Sequence, residues 1–194
     1  IDIGVIPKAE GSARERLGDT EVVAGVKVQP ERPFPDTGDK GMLICTAEIL
    51  PIAHPSAETG PPQPPVVELA RVTDRGIRES GMLDMKQLVL EKDKSVIGVF
   101  CDNAVTDHDG NLFDACSYAS TAAINACKIP KYEMQDEKPV KIEGEFTEPP
   151  ITTLPVSVTM AKIGDFIVVD PTIEEWGIMD ARITITSNSD GNVV

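Results

Sequence analysis

Histidine is almost missing from this 194-residue chain, with only His54 and His108 present, so histidine-based metal or proton-relay chemistry has little to work with. The four cysteines, Cys45, Cys101, Cys116 and Cys127, show no C-x-x-C spacing, which removes a zinc ribbon or dithiol redox motif and leaves reduced, buried thiols as the expectation. No apolar run approaches the roughly 18 residues of a membrane span, and the start IDIGVIPKAEG lacks a secretory pattern. A soluble, cytoplasmic protein is the expectation. GxSxG, a P-loop lysine and GxGxxG are all absent, so neither a cofactor nor a nucleotide-phosphate loop is expected. Positive charge is scarce too: 18 Lys and Arg stand against 32 Asp and Glu, a formal charge of -14. Such a body repels a polyanion, so any contact with nucleic acid must be local or shared with a more basic partner.

Apolar content of 41% with 26% charged residues is that of a globular protein. Residues 20–29 and 41–50 are rich in β-branched and apolar residues and read as strands, with turn chemistry PFPDTGDKG between them. Residues 53–65 form a proline-heavy loop. Residues 94–106 read as a strand and 112–128 as a small-residue helix suited to close packing. The polar, proline-bounded stretch 132–150 reads as a connector or edge hairpin, separating a first part, 1–131, from a second, 151–194, with further strands and polar turns. The order of elements predicts an α+β fold.

The basic residues that exist are concentrated on one helix. In VVELARVTDRGIRES, residues 66–80, the turn of about 100° per residue puts Arg71, Arg75 and Arg78 within a wedge of roughly 60°. Val66, Leu69, Ala70, Thr73 and Ile77 cover the opposite side, and Pro65 suits the first turn. Guanidinium groups grip phosphate in two-pronged fashion, which makes this face a candidate RNA contact. The alternative is a solvated face, because Glu68, Asp74 and Glu79 lie at pairing distance from Arg71, Arg78 and Arg75.

Two acidic groups are candidates for chemistry. Asp102, Asp107, Asp109 and Asp114 surround a D-x-D-G core, but no oxygen donor of the right spacing and no closing glutamate complete a calcium loop, so Asp109-Gly110-Asn111 reads as a turn. Asp170, Glu174, Glu175 and Asp180 in VVDPTIEEWGIMD could hold Mg²⁺ or act as general acid, or form a loop that keeps its charges in water.

Five blocks in order, residues 11–26, 33–41, 68–80, 107–115 and 168–186, are similar to the RNase PH superfamily, and within it to the non-catalytic ring subunits of the archaeal exosome. The resemblance implies an RNase PH-like α+β fold. It also implies heterodimers with a catalytic paralogue, three of which close a hexameric ring around an RNA channel that carries cap proteins. Active relatives remove nucleotides from the RNA 3′ end by phosphorolysis. They hold the attacking phosphate on a glycine-threonine-arginine-threonine turn, whereas the matching turn here, Asp109 to Asp114, has no arginine and a carboxylate at each end. Active relatives also carry two aspartates after the strand matching Phe166–Val169. Asp170 fits the first, and glutamates and Trp176 occupy the region of the second.

The resemblance thus implies no catalytic residues and no metal, with Arg71 and Arg75 lent to the RNA path, Arg78 a third candidate, and Arg14 and Arg16 weaker ones on one side of a strand. Against the family pattern the chain reads as trimmed at both ends, without closing C-terminal helices. The rival expectations are a self-sufficient phosphate-dependent 3′ exoribonuclease built as a homohexamer and an unrelated α+β interaction module.

Overall fold

The computed structural model describes residues 1–136 and 138–194; Glu137, within the 132–150 segment, lies outside them. The chain runs through β1 (Asp2–Ile3), β2 (Gly11–Leu17), β3 (Thr20–Glu31), β4 (Met42–Ile49), α1 (Pro64–Glu79), a 3-10 turn at Met85–Leu88, β5 (Val89–Glu91), β6 (Ser95–Asp107) and α2 (Leu112–Asn125). It continues through β7 (Ile129–Gln135), β8 (Lys138–Thr147), β9 (Val156–Ile163), β10 (Phe166–Val169), α3 (Ile173–Ile178) and β11 (Ala181–Ser187). The mixture is the α+β arrangement the sequence predicts.

Strict alternation builds the main sheet. In β3, Thr20, Val22, Ala24, Val26 and Val28 are buried while their neighbours face outward, so one face of the sheet is apolar. The order is β1-β2-β3-β6-β4, with β5 also on β6; β4 runs parallel to β6 and the remaining pairs are antiparallel. The helices α1 and α2 cover the apolar face. Leu69 and Ile77 of α1 are fully buried, as are Ala115, Cys116, Ala119 and Ala123 of α2. Small residues let α2 come close to β2: a Cβ on Gly11 would overlap the Ala123 carbonyl and Cys127.

The second sheet, β10-β9-β11, is tied to α2 by polar contacts. Tyr118 donates its hydroxyl to the Ser157 carbonyl at 2.6 Å, and Ser117 and Ser157 share a 2.9 Å hydrogen bond. Thus α2 belongs to both sheets, and its N-terminus points to where they meet. The 132–150 segment forms the two-stranded β7–β8 sheet, opening three residues earlier at Ile129.

One boundary reading is corrected. The acidic stretch after β10, expected as a loop, contains the helix α3. Thr172 accepts from the Glu175 amide and Glu175 reaches back to the Thr172 amide, a capping box that starts the helix.

Candidate functional site

The arginine stripe forms on α1 as its spacing predicts, with prolines in the first turn. Of the carboxylates around it, Asp74 takes the arginine within helical reach and Glu68 does not. Glu68, placed three residues before Arg71, instead accepts from Arg182 Nη2 of β11 at 2.6 Å. Asp74 does pair with Arg78, through Nε at 3.0 Å and Nη2 at 2.9 Å, and its Oδ1 also accepts from the Cys45 amide. Arg78 donates further to the Leu43 carbonyl, so it fastens α1 to β4. Among the described residues no ion pair reaches Arg71 or Arg75, and both are exposed. Folding has separated the three arginines into two cations without an ion pair among the described residues and one structural clamp.

Arg14 and Arg16 do lie on the same side of β2. Both reach Glu21 of the neighbouring strand, at 3.8 and 2.5 Å. The hydrogen bond from Arg16, with a weaker one from Thr106, holds the Glu21 carboxyl below its ordinary range. These two cations share one anion and are not a free pair.

The turn that heads α2 is a hub. Thr20 donates to the Gly110 carbonyl at 2.8 Å and accepts from the Asp109 amide at 2.9 Å. Gly110 has φ +113, and any Cβ there would strike the backbone of Pro171 and Thr172. Asn111 is left-handed, φ 40, and buried. Its Nδ2 donates to Asp114 Oδ2 at 2.8 Å and to Asp170 Oδ1 at 2.7 Å. Asp114, also buried, accepts from the Thr159 amide at 2.9 Å and the Thr159 hydroxyl at 2.7 Å. The two acidic groups read separately in the sequence therefore meet at one asparagine. The other acids are occupied locally: Glu174 and Glu175 accept from Thr172, and Asp180 accepts from the Gly164 amide. Among the described residues no cluster of three His, Cys, Asp or Glu is arranged to hold a metal ion.

The turn itself has no arginine, yet a cation does stand beside it. Arg182 lines the same cavity of about 260 Å³ as Asn111, Phe113 and Trp176. Its guanidinium lies 3.9 Å from the centre of the Phe113 ring and 5.1 Å from that of Trp176, and the two rings stack with centres 5.8 Å apart. Arg182 is not an open fork, because Glu68 neutralises it and Phe113 covers it. Sequence reasoning missed it because 114 positions separate it from Glu68.

A second, larger cavity of about 680 Å³ lies under the 51–63 loop, and both histidines line it with ring centres 6.0 Å apart. Burial, and then the charge of His54, lowers the pKa of His108. The four thiols are free and buried; burial pushes Cys127 up to about 12 and Cys116 further still, which keeps these two unreactive.

A two-sheet α+β fold with α2 shared between the sheets, and a glycine turn heading that helix beside the second sheet, defines a class. The 3′ exoribonuclease family matches over residues 1–130 with its domain 1 and over 153–194 with its domain 2, and the chain belongs to that family. Within it, the chain is similar to proteins named exosome complex component Rrp42. It is 48% identical to that of Methanopyrus kandleri and 46% to that of Pyrococcus horikoshii, with 100% of this chain covering 72% and 71% of theirs. A solved Archaeoglobus fulgidus exosome, described as having RNA bound to the active site, contains a chain 48% identical to this one. It superposes with a TM-score of 0.91 over 100% of this chain and 73% of that one.

Proposed function

We propose that this chain is a ring subunit of an archaeal exosome that shapes the active site of a catalytic paralogue and guides RNA toward it without performing the chemistry. The heterodimer, the three-plus-three ring, its cap proteins and a cytoplasmic setting are part of this reading. Rrp42 relatives at 44–48% identity support the assembly. The observation that carries the RNA role is the distribution of cations. Arg78, Arg14, Arg16 and Arg182 are all held by carboxylates, while Arg71 and Arg75 project from one face of α1 with no ion-pair partner among the described residues. Arg78 remains a third candidate, since its side chain is still 45% exposed. An acidic body with two uncommitted arginines side by side on one helix face disfavours casual capture of RNA and favours contact along that face; Arg32, also exposed and without an ion pair among the described residues, stands outside this helix.

Catalytic incompetence follows on the same reading. Phosphate entering the turn would face Asp114 and Asp170 and find the guanidinium beside it, that of Arg182, already bound to Glu68. The presence of Arg182 favours, as the second reading, an autonomous phosphorolytic homohexamer, in which Arg182 would have to leave Glu68 for phosphate.

The test is RNA binding by the ring reconstituted with its paralogue, comparing the native chain with Arg71→Ser/Arg75→Ser. Each phosphate contact to a single strand contributes a slope of about 0.7 in log K against log salt, so losing both should flatten it by about 1.4 per strand bound. Assembly should be intact. An unchanged slope and affinity would remove these residues from the RNA path.

A further inference from the structure

The two histidines have no part in RNA guidance, yet the fold sets them together beside the 51–63 loop. We propose that they form an acid-sensitive latch: neutral, they let the loop close over the 680 Å³ cavity, and protonated, they drive it open and loosen the first turn of α1. The latch stands whether or not α1 binds RNA.

Both rings use the same nitrogen to hold a backbone amide. His54 Nδ1 accepts from the Ser56 amide at 3.2 Å, and His108 Nδ1 accepts from the Gly110 amide at 3.2 Å. Each neutral ring therefore carries its proton on Nε2, and a second proton has only Nδ1 to occupy, where it meets a donor. The Ser56 hydroxyl, 2.8 Å from His54 Nδ1, can turn to accept and relieve that conflict. The Gly110 amide offers no such relief, so the conflict falls on His108.

Charge adds to it. The ring centres stand 6.0 Å apart beside one cavity, so two protonated rings repel. Burial, and then His54, disfavour the charged form of His108 and outweigh the opposite pull of Asp107 and Asp109. Glu48 of β4 and Glu58 of the loop line the cavity too, but among the described residues no ion pair joins either to a ring. In the neighbouring cavity that His108 also lines, Glu68 and Arg182 occupy each other.

The loop yields before the turn does. Thr20 clamps the turn at the Asp109 amide and the Gly110 carbonyl, and the Asp109 carbonyl accepts from the Ile173 amide at 3.1 Å. The loop is tied to the body at Ala53, which is buried and whose carbonyl accepts from the His108 amide at 3.0 Å. Residues 58–63 are exposed throughout. Segments with exposed backbone and little buried side chain open most readily. The loop runs into Gln63, whose carbonyl accepts from the Val66 and Val67 amides at 2.9 and 3.1 Å and so starts α1. Opening at Ala53 is passed directly to that turn.

Amide hydrogen exchange of the complete chain, read residue by residue by NMR and corrected for intrinsic rates, is compared at about pH 7.5, 6.5 and 5.5. Protection of residues 53–67 and of the His108 amide should fall with pH, by up to about tenfold per unit for each proton taken up. The Asp109 amide, held by Thr20, should keep its protection. His54→Gln should make the fall shallower, and His54→Gln/His108→Gln should abolish it; native protection of β3 at about pH 7.5 shows that each variant is folded. In the native chain the His108 ring signals should titrate below the ordinary value near about 6.5, and in His54→Gln they should move up toward it. Loop protection that does not change with pH in the native chain overturns the latch, with no variant needed. A fall that persists in the double variant overturns it as well, and so does loss of Asp109 protection together with the loop, which would place the acid-sensitive element in the turn itself.

Discussion

Replacing Asp114 with alanine tests whether the turn is held as a unit. Three donors converge on this carboxylate: the Thr159 amide, the Thr159 hydroxyl and Asn111 Nδ2. Two of them have other partners, because the hydroxyl can turn to Thr184 and Nδ2 keeps Asp170. The Thr159 amide does not, and Thr159 is fully buried. An unsatisfied buried donor costs about 1–3 kcal/mol, and loss of the charge-assisted bonds adds a comparable amount. Relief from burying a carboxylate at 3% exposure offsets part of this. A net loss of about 3 kcal/mol is expected, and in a 194-residue chain it lowers Tm by about 6–12 °C. Asp114→Asn keeps one acceptor but sets an NH₂ against a donor, so it should lose roughly half as much. Urea unfolding followed by circular dichroism gives both values. A loss below about 1 kcal/mol for Asp114→Ala, with the denaturant slope unchanged, would show that the hub does not hold the two sheets together.

Gly110→Ala combines a forbidden φ with a clash against Pro171 and Thr172, and should cost about 2 kcal/mol or more; a thermal melt within 2 °C of the native chain would refute the close approach. His108 has a pKa held below its ordinary value by burial first and His54 second, against the opposing pull of Asp107 and Asp109. The unfolded chain therefore binds the proton more readily. The stabilisation is complete above the unfolded value near about 6.5 and is lost as pH falls through it toward the lower folded value. His108→Gln should flatten the fall in urea stability between about pH 7 and 5, and an unaltered slope would contradict the assignment.

Much of this was legible in one dimension. The period of α1 and the alternation of β3 follow from local pattern, and the arginine wedge depends on nothing beyond helical geometry. What escaped was decided by distant partners. Glu68 has Arg71 within helical reach, yet takes Arg182 from another sheet, because Arg182 is pinned over Phe113 and its side chain is only 17% exposed. Asn111 reads as a turn residue, and its meeting with Asp170 across 59 positions needs the folded chain. The helix α3 is different, since its signal was present: Thr172 and Glu175 have capping-box spacing, but Asp170, Glu174, Glu175 and Asp180 read as a solvated loop.

The same tertiary pairing bears on chemistry. Sequence alone predicts a turn without a cation; the structure supplies one, Arg182, and then cancels it with Glu68. Whether that cancellation holds when phosphate is present decides between a guiding subunit and an enzyme. The direct measurement is release of nucleoside diphosphate from a 3′-labelled RNA by the purified chain, without its paralogue, in saturating phosphate. No diphosphate above the protein-free control is expected, and phosphate-dependent release that disappears in Arg182→Ala would contradict the central claim.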